Sequence, residues 1–323
     1  MKKLFIVNSR AEPNALARFK DIYLKRSYEH PEESNIIFTE YAGHAGEAAH
    51  YATAEKDIMI IACGGDGTIH EVGNALAETD TPLALIPLGT GNDFTRSVMD
   101  EKHRTDCGAC IDDIFGDRFT IKDMDLIKVT SYNKKGERID ASSAWCLNVA
   151  SIGLDTEVQL RAKGKVLAHP DSGFVRSTAY VSSALGCIFG NRKFDFRFSA
   201  LRGDGKPNES EKSCFTLLAV CNGSYYGDGF CPAPGAKIDD GLINCCAIDA
   251  VSLPRALYLL SKYKNGRHEG YKGVDAFVTT SVTVEATGSR DLNGNYDGED
   301  FSGHKVAFEC VPGALKLACF ERR

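Results

Sequence analysis

Residues 60–76 read IIACGGDGTIHEVGNAL, and two different periods meet in them. Ile58, Met59, Ile60 and Ile61 make a short unbroken apolar run, the pattern of a strand buried on both faces of a parallel sheet. Beyond the glycines, Ile69, Val72, Gly73 and Leu76 recur at helical spacing. The glycines therefore stand where a strand stops and a helix starts. Gly64, Gly65 and Gly67 can adopt positive φ and let a guest approach bare backbone, while the first turn of the helix offers unpaired N–H groups to an anion. Phosphate fits such a loop; a tight turn that binds nothing is the alternative. Asp66 bears on the choice, because a carboxylate beside a phosphate repels it unless a divalent cation stands between them. The loop points to a metal-bound nucleotide rather than to bare phosphate.

Outward from this loop the first 90 or so residues alternate strand and helix. LFIVN reads as a strand, Leu16, Phe19, Ile22 and Tyr23 as a helix stripe, NIIFT as the next strand, residues 46–53 as a short helix and PLALIP as a further strand. Short crossovers between buried strands mean a parallel sheet with helices on both faces, and the ligands of such sheets lie at the carboxyl ends of the strands. Asn8, Thr39, the GGDGT loop and the LGTGND loop all fall at that edge. Each alone is a turn; four polar loop ends at one edge make a pocket.

After about residue 122 the grammar changes. DLIKVTS, WCLNVAS, KFDFRFSAL, CFTLLAVCN, GLINCCAID and VTVEAT follow one another as strands, with Phe194, Phe196 and Phe198 alternating against Asp195, Arg197 and Ser199. RGDGKPNESEKS reads as a polar hairpin or loop. Two helical stripes interrupt the strands: Phe174, Thr178, Val181, Leu185 and Ile188, then residues 257–263. Either is a core helix or the wall of an apolar slot for a ligand. No internal repeat or low-complexity tract is present.

A chain of 323 residues is long enough for two domains, each with its own core, and 43% hydrophobic with 25% charged residues is an ordinary globular composition. The net charge of −6 gives no electrostatic case for nucleic acid. A local basic cluster at Arg161, Lys163 and Lys165 is either a solvated face or a contact for an anionic surface. MKKLFIVNSR opens like a signal peptide, but its apolar stretch ends at Val7 and is too short for an h-region. The longest membrane-span candidate, residues 174–189, is broken by Arg176 and several hydroxyl residues, so a cytoplasmic protein is expected. The twelve cysteines lie singly in apolar strands and read as reduced core residues. The exception is CGAC at Cys107 and Cys110 with His103 nearby, which could open a zinc or redox site, though no second such pair follows.

Five motifs taken in order identify a resemblance. CGGDGTIHEVGNAL, PLALIPLGTGNDFTRSV, NVASIGLDTEV, YYGDGFCPAPGAKIDDGLINC and DGE occur in the order seen in the diacylglycerol kinase catalytic family, which includes soluble bacterial lipid kinases and the sphingosine and ceramide kinases. A lone GGDG is weak evidence, because NAD kinases and phosphofructokinases resemble this loop; the ordered set spans nearly the whole chain. The family often has an Asn-Pro and a Ser-Gly near the N-terminus where this chain reads NSRAEPNA. Asn8 is therefore not carried over as a nucleotide contact.

The resemblance implies an α/β domain like those of NAD kinase and phosphofructokinase over residues 1–122, with residues 308–323 returning to it, and a β-rich, sandwich-like substrate domain over 123–307. It implies ATP-dependent phosphorylation of a lipid hydroxyl, diacylglycerol foremost, with Mg2+, by a protein that meets its lipid transiently at the membrane surface. An NAD kinase-like enzyme and a catalytically silent lipid-binding regulator are the rivals. Phosphoryl transfer needs positioning and charge neutralisation, hence a backbone cradle, carboxylates for magnesium and a base beside the acceptor. The cradle would be Gly64, Gly65, Asp66, Gly67 and Thr68, continuing into Ile69 and His70, with Thr39 and Thr90 on the nucleotide. Asp66 and Asp93 would orient magnesium and phosphates; capping the helix at FTRSV is the other reading of Asp93.

Glu299 in NYDGED matches the family's proton acceptor, workable as a base if partial burial raises its pKa, with Asp297 in support. From spacing alone, DGED reads as a hairpin turn with solvated acids. In AKIDDGLINC the resemblance carries over a structural magnesium held by the Lys237 carbonyl, the Asp240 carboxylate and the Leu242 carbonyl, an oxygen set that suits the ion. A type I′ hairpin at Asp240 and Gly241 is the alternative, and a turn can hold an ion. An antiparallel edge in the β-rich half offers a way to pair into a homodimer.

Overall fold

The computed structural model describes residues 1–31, 33–139, 144–168, 173–202 and 206–321. The chain divides into two compact units, Met1–Leu126 with Pro312–Arg323, and Ile127–Val311.

The first unit is the alternating α/β half. Its elements run β1 (Lys2–Asn8), α1 (Pro13–Glu29), β2 (Ser34–Thr39), α2 (His44–Ala52), β3 (Ile58–Gly64), α3 (Asp66–Leu76), β4 (Leu83–Pro87), α4 (Asp93–Val98), α5 (Glu101–Thr105), α6 (Cys107–Phe115) and the start of β5 (Phe119–Tyr132). The sheet is parallel in the order β4-β3-β1-β2, and the end of the chain's last strand continues it where Leu317 pairs with Leu83. Every residue of β3 is buried, as its unbroken apolar run requires. Alternate residues serve opposite faces: Phe5, Val7, Met59, Ile61 and Ile86 share one core with α1 and α6. Within it Phe5 lies 4.9 Å from Tyr23 and 5.7 Å from Phe115, ring centroid to centroid. The register sets Asn8 beside Thr39 and Gly64 beside Pro87, so the polar ends of β1 to β4 come out at one edge.

The second unit is the β-rich half. It holds the rest of β5, β6 (Ala144–Cys146), β7 (Val149–Gly153), α7 (Leu154–Ala168), α8 (Gly173–Ile188), β8 (Phe194–Arg202), β9 (Pro207–Glu209), β10 (Cys214–Cys221), β11 (Ile243–Asp249), α9 (Leu253–Lys264), β12 (Val274–Ala286), β13 (Leu292–Tyr296), β14 (Glu299–Gly303) and most of β15 (Lys305–Phe320). Strand β10 lies between β7 and β11, both antiparallel to it, and is buried on both faces. Leu218 and Val220 join an all-strand core with Phe196 and Phe198, while Leu217, Ala219 and Cys221 face α7, α8 and α9. In β8 Phe196 and Phe198 are buried, Phe194 half-buried and Asp195, Arg197 and Ser199 exposed, as the alternation predicts. The polar segment after β8 does fold back as a hairpin, Ser199 pairing with Glu209; residues 203–205 lie outside the described set.

One expectation changes. Among the described side chains of α8 the buried ones are Ala179, Ser183, Ala184, Cys187 and Ile188, whereas Leu185 is 44% exposed. The stripe is rotated toward small residues, because α8 packs closely against α7; Phe174 lies outside the described side chains. The CGAC segment does not gather metal ligands. Both ring nitrogens of His103 face carboxylates, Asp100 and Asp113, each at 2.8 Å, and the Cys110 thiol donates to the His103 carbonyl at 3.1 Å. Among the described residues no cluster of His, Cys, Asp and Glu is arranged around a metal position. All twelve cysteines are free, and burial pushes the Cys63, Cys110, Cys146 and Cys221 thiols well up, so they stay inert in the cores.

Candidate functional site

In the first unit the site residues gather on the strand edge. Gly64 closes β3 and Asp66 opens α3, the strand-to-helix junction that the sequence periods require. Glycine is obligatory at two points of close approach. A Cβ on Gly64 would stand 2.4 Å from the Thr68 hydroxyl, and one on Gly89 would stand 2.6 Å from the Gly65 Cα, so the GGDGT and LGTGND loops touch backbone to backbone. At Gly67 the surroundings are open, with nothing within 4 Å of a Cβ position. Gly67 is exposed, whereas Thr68, Ile69 and His70 are buried. The Ile69 N–H already donates to the Gly65 carbonyl, and the His70 ring meets the Asn74 side chain at 3.3 Å. Any guest of this helix N-terminus meets the backbone ahead of Ile69, not the Ile69 or His70 side chains.

Asp66 has a second task that sequence did not expose. Its Oδ2 accepts the Asp93 N–H and its Oδ1 the Phe94 N–H, each at 3.1 Å. It therefore caps α4 from a loop 27 residues earlier in the chain. This corrects the capping reading of Asp93. Asn92, in the left-handed region at φ 52°, precedes the helix without a side-chain cap, and Asp93 is buried in an ion pair with Arg96 at 3.4 Å. A similar remote cap holds α2, where the Glu71 carboxylate of α3 accepts the Gly43 and Ala45 N–H groups at 2.9 and 3.1 Å. Thr39 ties the end of β2 to β1: its hydroxyl accepts the Ser9 N–H at 3.4 Å and its carbonyl the Ser9 hydroxyl. Asn8 turns on itself, accepting the Arg10 N–H at 2.9 Å, and Thr90 is exposed.

In the second unit Asp297 and Gly298, at φ 49° and 97°, form the two-residue turn between β13 and β14, with Tyr296 paired to Glu299. The hairpin reading of DGED is thus what the chain does. Asp297 is nonetheless more than a turn residue, since its carboxylate accepts the Leu147, Asn148 and Val149 N–H groups at 2.6, 2.9 and 3.2 Å. Gln159 of α7 donates to the Gly298 carbonyl at 2.6 Å. Two separate segments thus pin the hairpin tip. Glu299 itself is exposed.

Lys237, Asp240 and Leu242 lie in the connection between β10 and β11. Asp240 and Gly241 do not join paired strands directly, because the whole of residues 222–242 intervenes. Gly241 has φ 72°, and the exposed Asp240 carboxylate accepts the Leu242 N–H at 3.1 Å. One oxygen of this exposed carboxylate is committed to that N–H, and a carboxylate is an oxygen ligand of the kind a hard cation takes.

Between the sheet and its three helices lies a narrow cavity of about 50 Å³. Leu154, Val158, Ala184, Ile188, Leu217 and Leu259 give it apolar walls, and Asp155 is the carboxylate among them. The Tyr263 hydroxyl donates to Asp155 at 3.4 Å and lies 3.2 Å from that of Tyr226. Burial pushes Asp155 up to about 6 against the lowering effect of the two tyrosines, and raises both tyrosines as well. Asp155 was not singled out from sequence, although it lies within the motif NVASIGLDTEV, directly after the apolar run VASIGL.

Two family models account for the two halves. The diacylglycerol kinase catalytic domain matches residues 2–129, and the YegS C-terminal NAD kinase beta sandwich-like domain matches residues 148–319. A "probable lipid kinase YegS-like" of Pseudomonas fluorescens is 29% identical over 288 residues, covering 87% of this chain and 84% of its own. One of the same name from Stenotrophomonas maltophilia is 27% identical over 284 residues, 84% of this chain and 83% of its own. Among solved structures, a diacylglycerol kinase from Bacillus anthracis superposes with a TM-score of 0.66 at 19% identity, covering 99% of this chain and 97% of that one. A yeast NADH kinase complexed with NADH superposes at 0.51 with 12% identity, covering 100% and 84%. Both superpositions establish the fold alone.

Proposed function

Because the chain belongs to the diacylglycerol kinase catalytic family, we propose that it transfers the γ-phosphoryl group of ATP to the hydroxyl of a lipid, diacylglycerol first among the acceptors. The observation that carries this reading is the strand edge of the first unit. There an open glycine backbone at Gly67 begins a helix beside a carboxylate, with the LGTGND loop locked against it. The N-terminal N–H groups of α3 would receive phosphate oxygens, and Thr39 and Thr90 would border the nucleotide. Asp66 and Asp93 would hold magnesium, which when bound supplies positive charge against the phosphates. Asp240, with the Lys237 and Leu242 carbonyls, would hold a second, structural ion.

Glu299 would take the proton as the lipid oxygen bonds to the γ-phosphorus and the bond to the ADP oxygen breaks. Asp297 is a positioning residue, since its carboxylate is spent on three backbone N–H groups.

The test is transfer of label from γ-labelled ATP in mixed micelles with magnesium. Diacylglycerol, phosphatidylglycerol, a sphingoid base, a polyprenol and NAD would be the acceptors, and Asp66→Ala the control. A labelled lipid from the wild type alone is the expected result. Label on NAD and on no lipid would overturn the reading.

A further inference from the structure

Taking the lipid-kinase reading as its basis, we propose that the outer faces of α7, α8 and α9 form a docking surface for an anionic lipid bilayer. All three helices turn their inner faces to the same cavity, through Leu154 and Val158, Ala184 and Ile188, and Ala256 and Leu259. Large apolar side chains are exposed on or beside each of them. Leu160 and Leu167 on α7 are 47% and 79% exposed, Phe189 just past α8 is 66% exposed, and Leu257 and Tyr258 on α9 are 39% and 47% exposed. The α7 and α8 faces are continuous. Lys165 donates to Ser182 at 2.7 Å, and the Arg161 guanidinium lies over Gly186 and Gly190, 3.8 Å from a Cβ position at each.

Charge selects the occupant. The chain as a whole carries −6, yet residues 253–272 hold Arg255, Lys262, Lys264, Arg267 and Lys272 against the single acid Glu269. An acidic protein is repelled by an anionic membrane everywhere except at such a patch. On the α7 side, Asp300 pairs with Lys163 at 3.3 Å, and Glu157 is the one exposed acid of α7. Around the Tyr258 ring, Arg255 and Lys262 lie 5.5 and 5.8 Å from the centroid, an aromatic with cations suited to the headgroup level. Among the described residues no helix is long and apolar enough to cross a membrane, so these helices would lie on the bilayer rather than in it. Exposed apolar groups and basic charge together supply the two signals that peripheral attachment requires.

The experiment is sedimentation of the full chain, without ATP, with vesicles of phosphatidylglycerol mixed into phosphatidylcholine and with phosphatidylcholine alone. Two double variants are compared, Leu167→Asp with Phe189→Asp and Lys262→Glu with Lys272→Glu. Each alters exposed or half-buried side chains outside the cavity lining, and thermal unfolding verifies the fold. The expected result is partition favouring the anionic vesicles, weakened by salt and reduced about tenfold or more in each variant. Equal partition onto both vesicle types, or variants that bind like the wild type, would overturn the proposal. So would a dimer lost in the variants with vesicle binding intact, which would make the face a self-association surface. Sedimentation needs no turnover, so failure of the kinase reading would show as missing label while vesicle binding stands.

Discussion

The glycine loop of the first unit and the hairpin tip of the second use one device to opposite ends. In each, an aspartate next to a glycine reaches backbone far away in sequence: Asp66 takes two N–H groups of α4, and Asp297 takes three of residues 147–149. At Asp66 the carboxylate locks one polar loop to another on a ligand-accessible edge. At Asp297 it locks a turn to a neighbouring segment, leaving Glu299, two residues on, exposed and uncommitted to the core. A motif aspartate is therefore not a reactive one by position alone. Its hydrogen bonds decide whether it is free to act on a ligand.

The sharpest way to break the comparison is Asp297→Ala. Three N–H groups in a buried segment lose a charged acceptor, and the expected loss is about 3–5 kcal/mol of unfolding free energy. Denaturant titration with the transition midpoint and slope measures it. A loss below about 1 kcal/mol would mean that water replaces the carboxylate and that the tip is not pinned.

The next effect belongs to Asp155 and depends on pH. Its folded pKa, near 6, lies above the ordinary carboxylate value, so the folded state holds the proton more tightly than the unfolded chain. The contribution is fully present below about pH 4 and is lost as pH rises through about 6, a loss on the order of 3 kcal/mol. Asp155→Asn removes the ionisation, so its stability relative to wild type should rise between pH 4.5 and pH 7.5. Parallel wild-type and variant curves would show that Asp155 does not ionise in this window.

Much of this was legible in the sequence, for physical reasons that can be named. The strand at Ile58, Met59, Ile60 and Ile61 and the helix at Ile69, Val72 and Leu76 formed because hydrophobic period alone fixes them. The alternation in β8 was legible for the same reason. The α8 stripe was misread because packing against α7 selects small residues, and Ala184 outcompetes Leu185 for the inside. What sequence could not expose were the long-range acceptors. Nothing local joins Asp66 to Asp93, Glu71 to Gly43 or Asp297 to Leu147, since each pairing exists only once loops meet. Asp155 and its tyrosines escaped likewise, being 108 residues apart at Asp155 and Tyr263. The exposure of Glu299 was not legible either, because exposure at a hairpin tip depends on what covers it.

Asp66→Ala should cost less stability than Asp297→Ala, about 1–2 kcal/mol, the usual worth of a helix cap. It should nonetheless abolish labelled-lipid formation under the proposed function, because the carboxylate also belongs to the loop proposed to hold the nucleotide. Thermal unfolding and the transfer assay on one preparation separate the two roles. Full activity with the predicted loss of stability would leave Asp66 a cap and nothing more.

Glu299→Gln is the smallest structural change and the most direct probe of the contrast. The side chain is exposed on β14, and Gln preserves its shape, so unfolding free energy should move by less than about 0.5 kcal/mol. If Glu299 receives the lipid proton, turnover should fall by roughly 10²–10⁴ while ATP affinity is kept, because the amide cannot accept a proton at neutral pH. The hairpin tip would then combine a structural acid that cannot be removed without unfolding loss and a chemical acid that can. A variant that keeps its turnover would reduce the whole DGE motif to the turn that its backbone already forms, and the base would have to be sought elsewhere.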